Sequence, residues 1–211
     1  MNIRGLYAIT PDIDDTSLLA SKVQQFLNGG GALLQYRNKN ADADLAATQA
    51  KLLRRLTRET GARLIVNDDP ALAFSVGADG VHLGRDNDDF QRIVQLRAGA
   101  PTPDFIIGIS CYGELARARD AVANGADYVA FGSFFPSPTK PRALRPEITL
   151  LREARLVLQV PIVAIGGITL DNAATLIEAG ADLIAVITAL FDAPDIEAQT
   201  LQFTKLFQQH V

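Results

Sequence analysis

Eight short apolar runs rich in β-branched residues recur along this chain of 211 residues, with a segment of helical character between one run and the next. Continuous apolar runs of this length are typical of strands buried on both faces, as in a parallel sheet. The predicted strands are LYAI (6–9), ALLQY (32–36), LIV (64–66), GVHL (80–83), FIIGIS (105–110), YVAFG (128–132), PIVAIGG (161–167) and LIAVIT (183–188). A chain that alternates strand and helix so regularly is restricted to the α/β folds.

A recurring phrase marks the passage from helix to strand: GADGVHLG (77–84), GADYVAFG (125–132) and GADLIAVI (180–187), with a looser version in GGALLQY (30–36). Its glycine predicts a helix end in the left-handed region, followed by a short turn and the next buried strand. Eight units at a spacing of about 25 residues favour a single-domain (β/α)8 TIM barrel over residues 1–211. The alternative is a doubly wound open sheet, which the even spacing and the lack of a dinucleotide fingerprint after the first strand disfavour.

Three intervening segments show clear helix boundaries. TSLLASKVQQFLNGG predicts a helix with a hydroxyl cap at Thr16 and a glycine end, and DADLAATQAKLLRRLTRETG predicts an amphipathic helix that ends at Gly61. DNAATLIEAG predicts a helix from a cap at Asp171 to Gly180. The stretch FFPSPTKPRALRP (134–146) contains four prolines and is therefore interpreted as a functional loop rather than a linker.

The composition narrows the classes of partner. Hydrophobic residues make up 48% and charged residues 21% of the chain, and the net charge of −4 argues against a nucleic-acid or anionic-membrane surface. No apolar run approaches the ~18 residues of a membrane span, and MNIRGLYAITPD lacks a signal-peptide core. Cys111 is the single cysteine, which excludes an intramolecular disulfide. We therefore expect a cytoplasmic protein that binds small molecules, with no nucleic-acid or membrane partner; a homo-oligomer stays open.

Polar side chains collect where the predicted strands end, which is the catalytic face of a barrel. After the second strand, Gln35, Arg37 and Lys39 alternate along QYRNK and therefore face one way. One amide and two cations on a common face predict an anion clamp. The alternative is a solvated strand end with scattered charge.

Acidic clusters follow the next two strands, NDD at 67–69 and DNDD at 86–89. Hard oxygen ligands at neighbouring strand ends suit Mg²⁺, which commonly bridges carboxylates to substrate phosphates. For Asp68 we favour this metal interpretation, and with the clamp it predicts a magnesium-bound diphosphate. Helix capping or first-turn placement is the better interpretation for Asp69, Asp88 and Asp89. His82 is interpreted as a packed, hydrogen-bonded residue rather than as an acid or base.

Further groups at the later strand ends indicate a second anion pocket. Ser110, at the mouth of the fifth strand, is placed to hydrogen-bond a ligand, whereas Cys111 has no local histidine partner and does not fit a thiol nucleophile. The loop after the sixth strand supplies Ser137, Thr139 and Lys140. The glycines of IGGIT and the VITAL segment lie where this fold recurrently binds phosphate. Two anion pockets predict a group transfer between two phosphorylated substrates.

Together these segments resemble the thiamine phosphate synthase family, also called thiamine-phosphate pyrophosphorylase. The likeness rests on GLYAITPD, QYRNK, VNDD, GADGVHLG, FGSFFPSPTK, AIGGIT and AVIT, in family order over residues 5–191. The resemblance implies a (β/α)8 transferase that joins a hydroxymethylpyrimidine diphosphate to a thiazole phosphate. Its products would be thiamine phosphate and diphosphate, and its cofactor Mg²⁺.

The resemblance also implies a role for each matching residue. The pyrimidine diphosphate would be held by Gln35, Arg37, Lys39, Asn67, Ser110 and Lys140. The residues implied to act catalytically, by stabilising the leaving diphosphate, are Arg37, Lys39 and Lys140. The thiazole phosphate would be held by Ser137, Thr139, Gly167, Ile187 and Thr188. The implied metal ligands are Asp68 and Asn87, and the implied reaction passes through a pyrimidine cation that the thiazole nitrogen traps.

Two positions depart from the family pattern. Where the family has H-x-G-x-(D or E)-D, with a metal-binding aspartate at the end, this chain has Asn87, so Asp86 or water would have to compensate for the missing charge. The family segment P-T-x-T-K is here PSPTK, which keeps the hydroxyl. Two alternatives remain: a thiazole tautomerase-like isomerase of the same fold, which has no use for a diphosphate clamp, and a non-catalytic phosphate-ligand-binding paralogue.

Overall fold

Eight parallel strands close into a ring. The computed structural model describes residues 3–84, 95–96, 98–100, 104–136 and 145–209. The strands are β1 (Gly5–Ile9), β2 (Leu33–Tyr36), β3 (Arg63–Asn67), β4 (Gly80–Leu83), β5 (Ile106–Tyr112), β6 (Tyr128–Gly132), β7 (Ile162–Ile165) and β8 (Leu183–Val186). Neighbours in the chain are neighbours in the barrel, and β8 pairs with β1 to complete it. The predicted TIM barrel and its eight strands are confirmed, and the open sheet is excluded.

Side chains on each strand alternate between two apolar cores. On β1, Tyr7 and Ile9 pack inside the barrel with residues of the other strands. Leu6 and Ala8 instead belong to the larger core between the strands and the surrounding helices. Most strand residues are therefore buried on both faces of the sheet, which is why the sequence shows continuous apolar runs rather than an apolar-polar alternation.

Helices cover the outside of the barrel. The helices whose two ends both lie in the described residues are α1 (Thr16–Asn28), α2 (Ala43–Thr60), α3 (Pro70–Val76), α4 (Leu115–Ala123), α5 (Thr149–Val157), α6 (Leu170–Glu178), α7 (Thr188–Phe191) and α8 (Ile196–Gln209). The predicted end of α2 is confirmed, because Gly61 follows it in the left-handed conformation with φ 75°. Within this described part of the chain, no helix combines the length and the apolar character needed to cross a membrane.

Two predicted helix caps are wrong. α1 is capped by Asp15, whose carboxylate accepts two backbone hydrogen bonds of 2.8 and 3.0 Å from the first turn, in which Thr16 lies. α6 follows Thr169, whose backbone N–H donates to the Asn172 side chain at 2.9 Å, so Asp171 also lies in a first turn. In both cases the cap is earlier because a capping residue keeps an extended backbone before the first helical residue.

The aspartate of each GAD repeat links two strands. Asp79, Asp127 and Asp182 each accept a hydrogen bond from a backbone N–H of the preceding strand, at 2.7, 2.7 and 2.8 Å. Asp79 also forms an ion pair with Arg54, and Asp182 forms one with Arg155. The glycine of each repeat has a positive φ, as predicted. The repeat is therefore the predicted helix-to-strand joint, and its aspartate in addition hydrogen-bonds the preceding strand, a contact that the sequence does not predict.

Candidate active site

A cavity of about 790 Å³ opens at the carboxyl ends of the strands. Nine of the predicted site residues lie in the described part of the chain, and all nine line this cavity: Gln35, Arg37, Lys39, Asn67, Asp68, Ser110, Gly167, Ile187 and Thr188. The other four lie outside the described residues: Asn87, Ser137, Thr139 and Lys140. Residues from five strand ends thus meet in one space, as the barrel geometry requires.

Arg37 and Lys39 form a cationic wall of this cavity, and residues of the segment after β1 hold them in place. The Arg37 guanidinium pairs with Asp12 at 2.9 Å, and the same carboxylate accepts a hydrogen bond from the Lys39 backbone N–H at 2.8 Å. The buried Thr10 hydroxyl donates to the Arg37 carbonyl at 2.7 Å and accepts from the Arg37 N–H at 2.8 Å. Thr10 and Asp12 were not assigned from the sequence. Their signal was two polar residues directly after a buried strand, in the segment ITPD.

Asp68 lies where the cationic wall meets the end of β3. Its carboxylate accepts hydrogen bonds from Lys39 Nζ at 2.8 Å, Asn67 Nδ2 at 2.7 Å and the Gly84 N–H at 3.0 Å. Its φ of 61° is a left-handed conformation that aspartate tolerates better than most residues. The next residue, Asp69, caps α3 by accepting from Leu72 N–H at 2.9 Å. The predicted role of Asp69 as a helix cap is confirmed. Asp68 instead lines the cavity.

The ionisation state of Asp68 suits a cation. Burial raises the pKa of this carboxyl, but the hydrogen bonds from Lys39 and Gly84 and the charge of Lys39 outweigh that effect, so the pKa lies below its ordinary value of 3.8. Asp68 is therefore an ionised hard oxygen donor at neutral pH, the chemistry that Mg²⁺ requires. The described residues contain no group of three or more acidic, histidine or cysteine side chains that could hold a metal together.

A chain of five hydrogen-bonded side chains crosses the floor of the cavity. Gln35 Nε2 donates to Tyr7 Oη at 2.7 Å, and Tyr7 Oη lies 2.8 Å from Tyr128 Oη. Tyr128 Oη lies 2.9 Å from His82 Nδ1, and His82 Nε2 lies 2.9 Å from Ser110 Oγ. The interpretation of His82 as a packed, hydrogen-bonded residue is confirmed. Both tyrosines were missed, although the inward position of Tyr7 on a buried strand and the tyrosine in GADYVAFG were visible signals.

Burial keeps the two tyrosines neutral. It raises the pKa of Tyr7 and of Tyr128 well above the ordinary value of 10.0, because a phenolate inside the barrel would lose its hydration. Both side chains are only 1% exposed. Their hydroxyl groups therefore act as fixed hydrogen-bond donors and acceptors, and the floor of the cavity carries no phenolate charge.

At the ends of β7 and β8, the lining of the cavity includes the glycines 166 and 167, and we call this part the glycine-lined wall. A Cβ on Gly167, whose φ is 62°, would lie 2.3 Å from the Pro136 carbonyl oxygen, so this position requires glycine. Ile187 and Thr188, at the end of β8, line the same cavity. Arg145 also lines it and makes no ion pair with the part of the chain that the structure describes. From the sequence, Arg145 is one residue of the loop 134–146 and has no predicted role.

Comparison with known proteins identifies the family. The family model for thiamine monophosphate synthase matches residues 6–190. The chain belongs to this family. The thiamine-phosphate synthase of Azoarcus sp. is 54% identical over 205 residues, covering 97% of this chain and 98% of that protein. The thiamine-phosphate synthase of Methylobacillus flagellatus is 56% identical over 205 residues, covering 97% and 96%.

A solved structure agrees with the family assignment. Thiamine phosphate pyrophosphorylase from Pyrococcus furiosus is 36% identical and superposes with a TM-score of 0.86, covering 100% of this chain and 98% of that chain. The resemblance inferred from the sequence motifs is thus confirmed. The protein is an enzyme of thiamine biosynthesis, a transferase.

Proposed function

We propose that this enzyme joins 4-amino-2-methyl-5-(diphosphooxymethyl)pyrimidine to a thiazole phosphate, forming thiamine phosphate and releasing diphosphate. The observation that supports this most strongly is that one cavity contains both a cationic wall and a glycine-lined wall. A reaction that joins two phosphorylated molecules needs two separate anion sites beside each other, since their charges repel. A single-substrate isomerase would need only one.

The cationic wall is proposed to bind the diphosphate. Arg37 and Lys39 are each paired with a carboxylate, Asp12 and Asp68, which holds their charges at the cavity in the absence of substrate. A leaving diphosphate gains negative charge as the C–O bond breaks, so preorganised cations lower the barrier. Lys140 is proposed to add a third cation, on the basis of the family motif PSPTK.

Mg²⁺ is proposed as the cofactor. Asp68 is the described residue whose chemistry fits it, because its carboxylate is ionised and lines the cavity. Asn87 or Asp86 is proposed to complete the site. When bound, Mg²⁺ would neutralise part of the diphosphate charge. Lys39 would then contact both the carboxylate that holds the metal and the departing group.

The floor and the glycine-lined wall are proposed to hold the two rings. Gln35, Asn67 and Ser110 would orient the pyrimidine, while Ser137, Thr139, Gly167, Ile187 and Thr188 would hold the thiazole phosphate. The electron-rich aminopyrimidine can carry the positive charge left by the departing diphosphate, and the thiazole nitrogen held alongside then forms the new C–N bond. The chain's main contribution is positioning and charge stabilisation, because no proton has to be moved in the bond-forming step.

The reaction can be tested directly. Purified protein is mixed with both substrates and Mg²⁺, and thiamine phosphate and released diphosphate are measured. We expect equal amounts of both products, and their loss on addition of EDTA with recovery on excess Mg²⁺. Interconversion of thiazole tautomers without product would favour the isomerase instead. Binding of the thiazole phosphate without any turnover would favour a non-catalytic paralogue.

Adjacent carboxylates provide a matched test of the metal site. Asp68→Asn should lower kcat/KM by about 10²–10³-fold and raise the Mg²⁺ concentration needed for half-maximal rate, because the ionised ligand is lost. Asp69→Asn should change stability by less than about 0.5 kcal/mol and leave the Mg²⁺ titration unchanged, because asparagine caps a helix as well as aspartate. Equal effects of the two substitutions on the titration would remove Asp68 from the metal site.

We also propose that residues 1–211 act as one catalytic domain in the cytoplasm. In support, Phe203 and Phe207 of α8 lie in the same core as Leu6 of β1, so the last described helix packs on the first strand. The single cysteine, Cys111, is buried, which suits a reducing compartment. A single cooperative unfolding transition seen by two probes would support the one-domain proposal.

A further inference from the structure

The five-residue chain on the cavity floor has a direction. Each group donates a hydrogen bond to the next one, and the first donor is the Gln35 amide nitrogen, which donates to Tyr7 Oη. Since Tyr7 Oη accepts there, its own proton is free for Tyr128, and the Tyr128 proton is then free for His82 Nδ1. A neutral imidazole that accepts at Nδ1 carries its proton on Nε2, which donates to Ser110. Each of the four hydrogen bonds then has one donor and one acceptor.

This direction decides what the two ends present to a ligand. The Ser110 oxygen already accepts from His82, so its own O–H is available to donate into the cavity. At the other end, one amide hydrogen of Gln35 is donated to Tyr7, which fixes the orientation of the amide, and Oε1 is the acceptor that this side chain offers to a ligand. One end of the chain is an acceptor and the other a donor.

Burial prevents the ends from changing independently. Tyr7 and Tyr128 are 1% exposed, Gln35 is 3% exposed and His82 is 7% exposed. Reversing a single hydroxyl would leave a buried donor without an acceptor, which is costly inside a protein. Only a reversal of all five groups together, including rotation of the Gln35 amide, would satisfy every donor again. The chain therefore couples the hydrogen-bonding sense of its two ends.

We propose that Tyr7, Tyr128 and His82 are positioning residues that hold Gln35 as an acceptor and Ser110 as a donor, and so make the cavity selective for an aminopyrimidine. This inference rests on the proposed function. An aminopyrimidine presents an exocyclic N–H donor and ring-nitrogen acceptors, which complement this pair. Its 4-oxo analogue presents a carbonyl acceptor and a ring N–H donor, which is the opposite pattern. The selectivity then comes from three residues that need not touch the ligand.

Tyr128 offers the cleanest substitution. Its ring is stacked on His82 with an interplanar angle of 17° and packs edge-on against Tyr7, so phenylalanine keeps these ring contacts and removes only the hydroxyl. Tyr36→Phe is the matched control. That hydroxyl is also buried and hydrogen-bonded, to Gln49 at 2.9 Å, but it belongs to the core between strands and helices and does not line the cavity.

The test measures binding of the 4-aminopyrimidine diphosphate and of its 4-oxo analogue by calorimetry with Mg²⁺ and without the thiazole phosphate. We expect the wild type to favour the amino form, and Tyr128→Phe to reduce that preference by about tenfold or more, since Ser110 can then rotate and accept. The KM for the thiazole phosphate should stay unchanged. Tyr36→Phe should keep the wild-type preference. A preference in Tyr128→Phe equal to that of the wild type would overturn the inference.

Two further measurements separate positioning from a general structural effect. In a Ser110→Ala background, Tyr128→Phe should have little additional effect on the preference, because it acts through Ser110; fully additive losses would overturn the inference. If Tyr128→Phe does not fold, Tyr7→Phe interrupts the same chain nearer Gln35 and should give the same loss of preference. Failure of the wild type to form thiamine phosphate would refute the proposed function. Turnover by the wild type with no loss of preference in these variants would refute this inference alone.

Discussion

Gly108 on β5 provides the sharpest test of the packing inside the barrel. A Cβ added at this position would lie 1.9 Å from Cζ and 2.3 Å from Oη of Tyr128. Because carbon atoms in contact stay about 3.5 Å apart, the tyrosine ring would have to move by about 1.5 Å. The ring is 1% exposed and is held between Tyr7 and His82, so it has no open space to enter.

We therefore expect Gly108→Ala to lower the free energy of unfolding by about 1–3 kcal/mol, the usual cost of overpacking a core. For a protein of this size, each kcal/mol corresponds to a fall in Tm of about 2–4 °C, measurable by calorimetry. The same displacement should lengthen the hydrogen bonds of Tyr128 and weaken binding of the pyrimidine diphosphate. Tyr128→Leu in the Gly108→Ala background should recover part of the stability, since the smaller side chain makes room for the added methyl group.

Gly113→Ala is the matched control, because its Cβ would meet Pro146 at 3.4 Å, an ordinary contact distance. It should change stability by less than about 0.5 kcal/mol. The reasoning would be refuted if Gly108→Ala unfolded at the wild-type temperature, since that would mean the Tyr128 ring can move without cost. It would also be refuted if both alanine substitutions lowered Tm equally.

Two further predictions follow from local hydrogen bonds. Asp15→Ala should lower the free energy of unfolding by about 1 kcal/mol and Thr16→Ala by less than half of that, because only Asp15 caps α1; equal losses in denaturant titrations would contradict this. Because the pKa of Asp68 is lowered on folding, its carboxylate stabilises the folded state at pH values above its ordinary pKa of 3.8. This contribution is lost as the pH falls through the lowered pKa. Lys39→Met, which removes the paired cation, should therefore destabilise the protein at pH 7 and much less at pH 2; equal destabilisation would contradict the pairing.

Much of the candidate site followed from position along the chain. Strand ends in a parallel barrel all open on one face, so side chains that follow buried runs must meet there. Gln35, Arg37 and Lys39 required only this rule and the alternation of an extended chain, and the structure places all three on the cavity. The helix caps were misplaced because a cap is defined by backbone conformation over one or two residues, and several side chains within that range can accept the same N–H.

Hydrogen-bond partners that lie far apart in the sequence, on neighbouring strands, were not predictable in this way. Thr10 and Asp12 act on Arg37 across the β1–β2 junction, and the GAD aspartates act on the strand before them. Each contact depends on which strands are adjacent and on their register, which local periodicity does not encode.

The sequence by itself determined the barrel and the side of it on which the chemistry lies, because the apolar runs that repeat eight times and the glycine joints that recur between them act locally. Only the tertiary structure decided the hydrogen-bonded chain on the cavity floor, whose members come from five different strands. The physical reason is that strand register sets which inward side chains share a layer of the barrel. A polar group in that layer is stable only when its neighbours from other strands satisfy its hydrogen bonds.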